Sequence, residues 1–297
     1  AGGIPIIRTI KNDLYFNKIK KISGILNGTT NYILTQMKEN NSTFEEVLIN
    51  AKNKGYTSDN EADLDIGGLD SAHKLTILTS VCFGTQLNFS NNEITGISNI
   101  KIDDIYFAEK LNCKIKLISE AFIIDEKIYS VTCPKLIDNN SPFSNVNGVL
   151  NAINLETDHQ NLFLEGEGAG GKATSSSVLS DLYEISKNSR IPSLGYEVKF
   201  LKNYKKYDIS NKQSCYYIRI MTKDEHGVLS KITSFFTESS ISIEKILQIP
   251  ENNKSPLLIP IIITTHKVMR SVLIEALKKI EDLDFILQKI SILPIEK

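Results

Sequence analysis

Within residues 57–74, the stretch TSDNEADLDIGGLDSAHK, five carboxylates (Asp59, Glu61, Asp63, Asp65 and Asp70) precede Lys74. Carboxylates can grip a substrate ammonium, and a lysine amine held nearby can take a proton from an alcohol and return it. Asp70 and Lys74 stand four residues apart, the spacing that puts two side chains on one helix face. The same residues also read as a solvated acidic loop, an N-cap aspartate and a weak surface ion pair, or as a loop that binds a cation.

Two glycine-bearing turns carry a second kind of chemistry. In GILNGTTNYILTQM an apolar strand at residues 22–26 meets Asn27-Gly28-Thr29-Thr30 and a helical pattern to Met37. A helix start offers free N–H groups, so this reads as a site-building turn or as an ordinary threonine cap. In EGEGAGGKATSSSVLSDL the glycines at 166, 168 and 171 match GxGxxG. Such a loop lets backbone approach a cofactor closely. The surroundings lack a βαβ unit and an acidic residue about 20 positions on, so the chain does not hold a whole dinucleotide-binding domain.

The elements that must position these residues follow from patterning. Ser42 as N-cap with Glu45 at N3 makes a capping box, opening a helix that stops at Gly55 and delivers Gly55 and Tyr56. Residues 57–66 show no helical or alternating pattern and read as a loop. Gly67-Gly68 lead into a helix closed by Gly84, and the helix after the glycine-rich loop starts near Thr174. Residues 98–165 hold short β-branched runs (SVTCPKLI, GVLNAINLET, NLFLEG) separated by turn residues, a sheet of meandering strands. Such a sheet leaves one face for a second subunit, predicting a homodimer or homotetramer. A polar linker follows at 204–213. Residues 214–297 then read strand, helix, strand, strand, helix, strand, a ferredoxin-like βαββαβ module. The expected class is α+β, with domains at 1–203 and 214–297.

Composition narrows the partners. Of 297 residues, 41% are hydrophobic, which excludes wholesale disorder. Lys and Arg total 34 against 35 Asp and Glu, net −1, with no dense basic block, so nucleic acid is not expected. No apolar run approaches the roughly 20 residues of a spanning helix. The four cysteines (Cys82, Cys113, Cys133, Cys215) form no CxxC pair and fit reduced thiols in a cytoplasmic protein. Ala1 opens directly into AGGIPII with no signal pattern, as expected of a piece of a longer chain.

Taken in order, AGGIPII, GILNGTTNYILTQM, GY…DIGGLDSAHK, NGVLNAI and EGEGAGGKATSSSVLSDL resemble homoserine dehydrogenases over residues 1–190, and the last 80 residues or so resemble an ACT domain. The match begins after that family's N-terminal Rossmann domain. The resemblance implies NAD(P)-dependent interconversion of L-homoserine and L-aspartate 4-semialdehyde, on the route to threonine, methionine and isoleucine. It makes Lys74 the proton carrier, Asp70 a substrate-binding aspartate and Asp65 its acidic neighbour. Thr29 and Tyr56 would lie beside the substrate, and Gly28, Gly55, Gly168, Ala169 and Gly170 beside the cofactor. Gly2 and Ile4 would give backbone carbonyls to a sodium ion.

The family's ammonium-holding Glu follows its Gly-Tyr closely and precedes a proline. Here that proline is missing and the gaps shift, leaving Glu61 as first candidate and Asp59 as second. In the ACT part, Asp224, Gly227, Val228 and Leu229 of the first turn, with Gln248, would hold an amino-acid effector such as threonine, and His226 is a turn residue. The rival reading is a degenerate, non-catalytic ACT-containing amino-acid-binding or regulatory protein.

Overall fold

β-branched and apolar alternation builds the strands, and the computed structural model describes the chain over residues 2–187, 192–248 and 258–296, without the side chains of Asp59 and Asn60. One compact unit comprises residues 1–106, 114–134 and 139–207, and the other residues 107–113, 135–138 and 208–297.

The first unit opens with α1 (Ile6–Arg8), which runs into a π-helical turn, Thr9–Asp13. β1 (Ile19–Ile25) leads through Leu26 and Asn27 into α2 (Gly28–Asn40). Helices α3 (Phe44–Asn53), α4 (Asp59–Ile66) and α5 (Leu69–Phe83) follow, then the short β2 (Glu93–Ile94) and α6 (Ile102–Lys110). β3 (Cys113–Ile124), β4 (Lys127–Asp138), β5 (Leu150–Thr157) and β6 (Asn161–Glu167) complete the sheet, in the order β6-β5-β1-β3-β4. α7 (Gly171–Ser186) and β7 (Lys205–Lys206) close the unit. β1 pairs antiparallel with both β3 and β5, so the strand that feeds the Asn-Gly-Thr-Thr turn is central. Ile4, Ile22 and Leu26 share one core with Leu75 and Leu78 of α5 and Ile153 of β5. That packing lays the first turns of α5 against the end of β1.

The second unit contains β8 (Gln213–Thr222), α8 (Val228–Glu238), β9 (Ile243–Gln248), β10 (Ile259–Thr265), β11 (Val268–Met269), α9 (Arg270–Glu281) and β12 (Ser291–Glu296). Strands run β12-β8-β10-β9, antiparallel throughout, the expected βαββαβ order with β11 as a short addition. Ile218, Ile220, Ile232, Phe236, Leu273 and Leu277 fill the space between this sheet and its two helices.

Several expectations need correction. The capping box sits one residue later: Thr43 Oγ1 accepts from the Glu46 N–H, and Glu46 Oε2 accepts from the Thr43 N–H at 2.9 Å. Residues 59–66 are helix α4, not loop. Ser58 is its extended N-cap, Glu61 favours the positive helix start, and among the described side chains only Ala62 and Ile66, one turn apart, bury an apolar face. Four carboxylates in eight residues hid that narrow stripe. α7 starts at Gly171, three residues before Thr174, and residues 98–165 include α6 as well as strands. Within the expected linker, Lys205–Lys206 pairs in parallel with Lys127–Ile128 of β4. β4 is buried at every residue from Ile128 to Ile137, whereas β6, at the end of the strand order, is intermediate or exposed throughout.

Candidate active site

The site begins where β1 ends. With Leu26 and Leu75 in the same core, Lys74 Nζ lies 3.0 Å from the Leu26 carbonyl and 2.7 Å from Asp70 Oδ2. The pair is not an ordinary surface ion pair, since the side chains are only 36% and 32% exposed and the lysine is also fixed by a backbone acceptor.

Asn27 organises the carboxylates. It is the N-cap of α2, accepting the Thr30 N–H at 2.8 Å through Oδ1. Its Nδ2 donates to Asp65 Oδ1 at 2.7 Å and to Asp70 Oδ2 at 2.8 Å. Thr57 Oγ1 donates to the other Asp65 oxygen at 3.0 Å. Asp65 is therefore committed to protein donors at both oxygens, while Asp70 Oδ1 carries no hydrogen bond among the described residues. A lysine ammonium has three N–H groups, and two of Lys74's are used. The neutral amine would keep both bonds and put its lone pair in the third position. The same geometry thus gives or takes a proton without rearrangement.

The remaining expected residues fall around this group. Thr29 Oγ1 donates to the Tyr56 carbonyl at 2.9 Å, tying the start of α2 to the segment that enters α4. The Tyr56 ring packs edge-on to Tyr32 at 4.8 Å. Gly28 is required by close approach, because a Cβ there would stand 2.7 Å from the Val149 carbonyl. Gly55, at φ +73°, turns the chain out of α3 with open space around it. Glu61 is exposed and accepts from Ser58 Oγ at 2.8 Å, directed at its own helix start. The structure brings Asp65, Asp70 and Lys74 together and leaves Glu61 outside; the Asp59 side chain lies outside the described residues.

The glycine-rich loop is anchored at one end and open at the other. Gly168 accepts from the Gly2 N–H at 2.7 Å, and a Cβ on Gly168 would overlap Asn151 Oδ1 at 1.4 Å. Asn151 in turn donates to the Ile25 carbonyl at 2.8 Å, one residue before the site. Ala169 and Gly170 are exposed, and a Cβ on Gly171 would meet nothing within 4 Å. Side-chain-free backbone at the start of a 16-residue helix fits the polar part of a dinucleotide cofactor. A cleft of about 490 Å³ runs from Lys74 along Ile4, Arg8, Ile77 and Ser177.

Sequence reasoning missed Asn27, Thr57 and Asn151. Asn27 was findable, because an asparagine between a strand end and Gly-Thr-Thr is an N-cap with a spare amide. Asn151 had no such signal.

Residues 5–183 match the family model described as homoserine dehydrogenase, and residues 216–285 match the ACT domain model. The chain belongs to the homoserine dehydrogenase family. It is thereby an oxidoreductase of amino-acid biosynthesis. A homoserine dehydrogenase of Pseudomonas aeruginosa is 36% identical over 96% of this chain and 67% of its own length. One of Helicobacter pylori is 37% identical over 100% and 69%. The crystal structure of a homoserine dehydrogenase from Thiobacillus denitrificans superposes with a TM-score of 0.89 at 32% identity, covering 100% of this chain and 68% of that one. The chain thus spans about two thirds of the length of these family members.

Two further expectations for this family member can be placed. The Gly2 carbonyl accepts from Ser177 Oγ and the Ile4 carbonyl from the Ile6 N–H, which uses one of the two lone pairs of each. In the ACT module Gly227, at φ +84°, caps α8; Val228 is buried, and Asp224 and Leu229 are exposed. Gln248 pairs with Ile261 of β10, which pairs on its other side with Ile220 of β8. Gln248 and the turn after β8 therefore share one end of the sheet, with β10 between them. Among the described residues no helix is long and apolar enough to cross a membrane, and all four cysteines are buried.

Proposed function

We propose that this protein interconverts L-homoserine and L-aspartate 4-semialdehyde, with Lys74 as the proton carrier. One observation carries the reading: Lys74 Nζ is held 2.7 Å from an aspartate whose second oxygen is open, inside a network fixed by Asn27. A solved archaeal relative is described in complex with NADPH, and the Gly168–Gly171 loop fits such a group here. NAD(P), when bound, supplies the hydride acceptor or donor.

The chain's own residues do the rest. Asp70 Oδ1 receives a donor from the substrate and orients its alcohol end. Lys74 takes the hydroxyl proton as the alcohol becomes an aldehyde and returns it in the reverse direction. Asp65, locked by Asn27 and Thr57, keeps the local charge negative and so favours the substrate's ammonium. Of the two candidates for direct contact with that ammonium, Glu61 is held by Ser58, which leaves Asp59 to be tested first. Residues 1–203 carry the reaction, 204–213 connect, and 214–297 bind a small amino acid, with threonine the first effector to test. Four buried cysteines with no CxxC pair suit a cytoplasmic setting. The non-catalytic alternative gains no support, because the acid–base pair and its supports are intact.

The test is NADPH absorbance with L-homoserine in the full-length protein, parent against Lys74→Met. Turnover in the parent and its collapse in the variant are expected; equal rates in both would overturn the reading.

A further inference from the structure

Lys116, on β3, is a buried cation far in sequence from the acid–base pair, and it is 2% exposed. Its Nζ lies 3.0 Å from Asn31 Oδ1, 2.5 Å from the Val146 carbonyl and 3.3 Å from Asn147 Oδ1. Asn31 lies one turn beyond Asn27 on α2 and is itself buried, its Nδ2 donating to the carbonyls of Val146 (3.1 Å) and Leu150 (3.0 Å). The same loop presses the Val149 carbonyl onto Gly28. One amine therefore joins the inner face of α2 to residues 146–150, directly behind the helix start.

We propose that Lys116 is a positioning residue for the active site: by joining Asn31 to Val146 and Asn147 it fixes the start of α2, and with it the Asn27 amide between Asp65 and Asp70. This rests on the reading of Asp65, Asp70 and Lys74 as the site. An asparagine amide that must reach two carboxylates at 2.7 and 2.8 Å tolerates little movement of its helix. Removing Lys116 leaves the buried Asn31 Oδ1 without this donor and takes one of two side-chain donors from the Val146 carbonyl.

The charged state of this amine gives a distinguishing readout. Burial, reinforced by Lys114 on β3 and Lys38 on α2, pushes Lys116 down to about 7, while Glu39 on α2 and Glu165 on β6 oppose the shift. Any local opening that hydrates the amine restores its ordinary affinity for a proton, so opening becomes rarer as pH rises above about 7.

Amide hydrogen exchange of the full chain, corrected for the intrinsic pH effect, tests this. In the parent, protection at residues 27–31 and 146–151 is expected to grow severalfold from pH 7 to 9. In Lys116→Met it should be at least tenfold lower at pH 8 and flat with pH, with residues 57–74 loosened in step and residues 214–248 unchanged. In the active enzyme kcat should fall while the KM for NAD(P) holds. If the Met variant does not fold, Lys116→Arg, which stays charged, should fold with low, flat protection. Parent-like protection at 27–31 in the Met variant, or a parent-like rise with pH in either variant, would overturn the proposal. A Lys74→Met variant that kept full turnover would instead sink the catalytic reading and leave the exchange result standing.

Discussion

Asn27 and Asp70, 43 residues apart, are joined by a 2.8 Å hydrogen bond from Nδ2 to Oδ2. The other N–H of that amide reaches Asp65, so one neutral group holds two carboxylates that would otherwise repel each other. Asn27→Ala removes this bridge and the α2 cap. Losing a cap costs about 1 kcal/mol. The misplaced carboxylates should lower turnover by about 10²-fold. Asn27→Asp keeps the cap but adds a third negative charge, so its melting point should stay nearer the parent's while turnover still falls. Thermal melts with steady-state kinetics decide the matter. Turnover within threefold of the parent in Asn27→Ala would show that the bridge is only structural.

Lys74→Met keeps the stem and deletes the proton carrier. A positioned acid–base group contributes roughly 10²–10⁴ in rate. A solvated ion pair would instead cost at most about 1 kcal/mol of stability and no rate. The expected result is a drop of at least about 10²-fold in turnover with substrate binding retained, checked by kinetics and by calorimetry with L-homoserine.

What was readable in the sequence divides along local and long-range lines. The Asp70–Lys74 pair was legible, because i,i+4 spacing and helical pattern are local properties. The ACT module was legible too, since its apolar runs alternate cleanly with two amphipathic helices. α4 was not, because its apolar face is just Ala62 and Ile66 beneath four carboxylates. The bond from Ser58 to Glu61 was not legible, because counting gaps along a loop says nothing of a contact made at a helix start. Asn151 and Lys116 were out of reach. Their partners, Ile25 and Asn31, lie 126 and 85 residues away, and no spacing rule spans a sheet.

Gly168→Ala should damage the loop from within. The new methyl would overlap Asn151 Oδ1, and Asn151 cannot yield without releasing the Ile25 carbonyl. Overpacking of this kind costs about 1–3 kcal/mol. A lower melting point and a raised KM for NAD(P) are expected. Gly171→Ala, with nothing within 4 Å, is the control and should melt like the parent or slightly higher. Equal melting points for the two variants would count against the loop packing.

The ACT module should report its ligand by calorimetry on the full chain. Threonine is expected to give a saturable heat, and Gln248→Ala to weaken it about tenfold, the roughly 1.4 kcal/mol at the upper end of an ordinary hydrogen bond. If threonine, lysine, methionine and isoleucine all give no heat and no shift in melting temperature, the effector assignment fails.

The last prediction concerns stability against pH and follows from Lys116. Its folded-state affinity for a proton is lowered by burial to about 7 from the ordinary 10.5. Below about pH 7 both folded and unfolded chains hold the proton, and this residue contributes no slope. From about 7 to 10.5 the unfolded chain holds more protons than the folded one, so stability rises with pH, by at most about 1.4 kcal/mol per unit. Put the other way, the stabilising share is lost as pH falls through about 7, where the folded protein must carry a buried charge. Lys116→Met binds no proton in either state and lacks the slope. The measurement is urea denaturation at pH 6, 7, 8 and 9, read as the difference between parent and variant so that other titrating groups cancel. That difference should be level from pH 6 to 7 and then move steadily in the parent's favour. A difference that stays level to pH 9 would mean that the three carbonyl acceptors around Nζ hold the ammonium as well as water does.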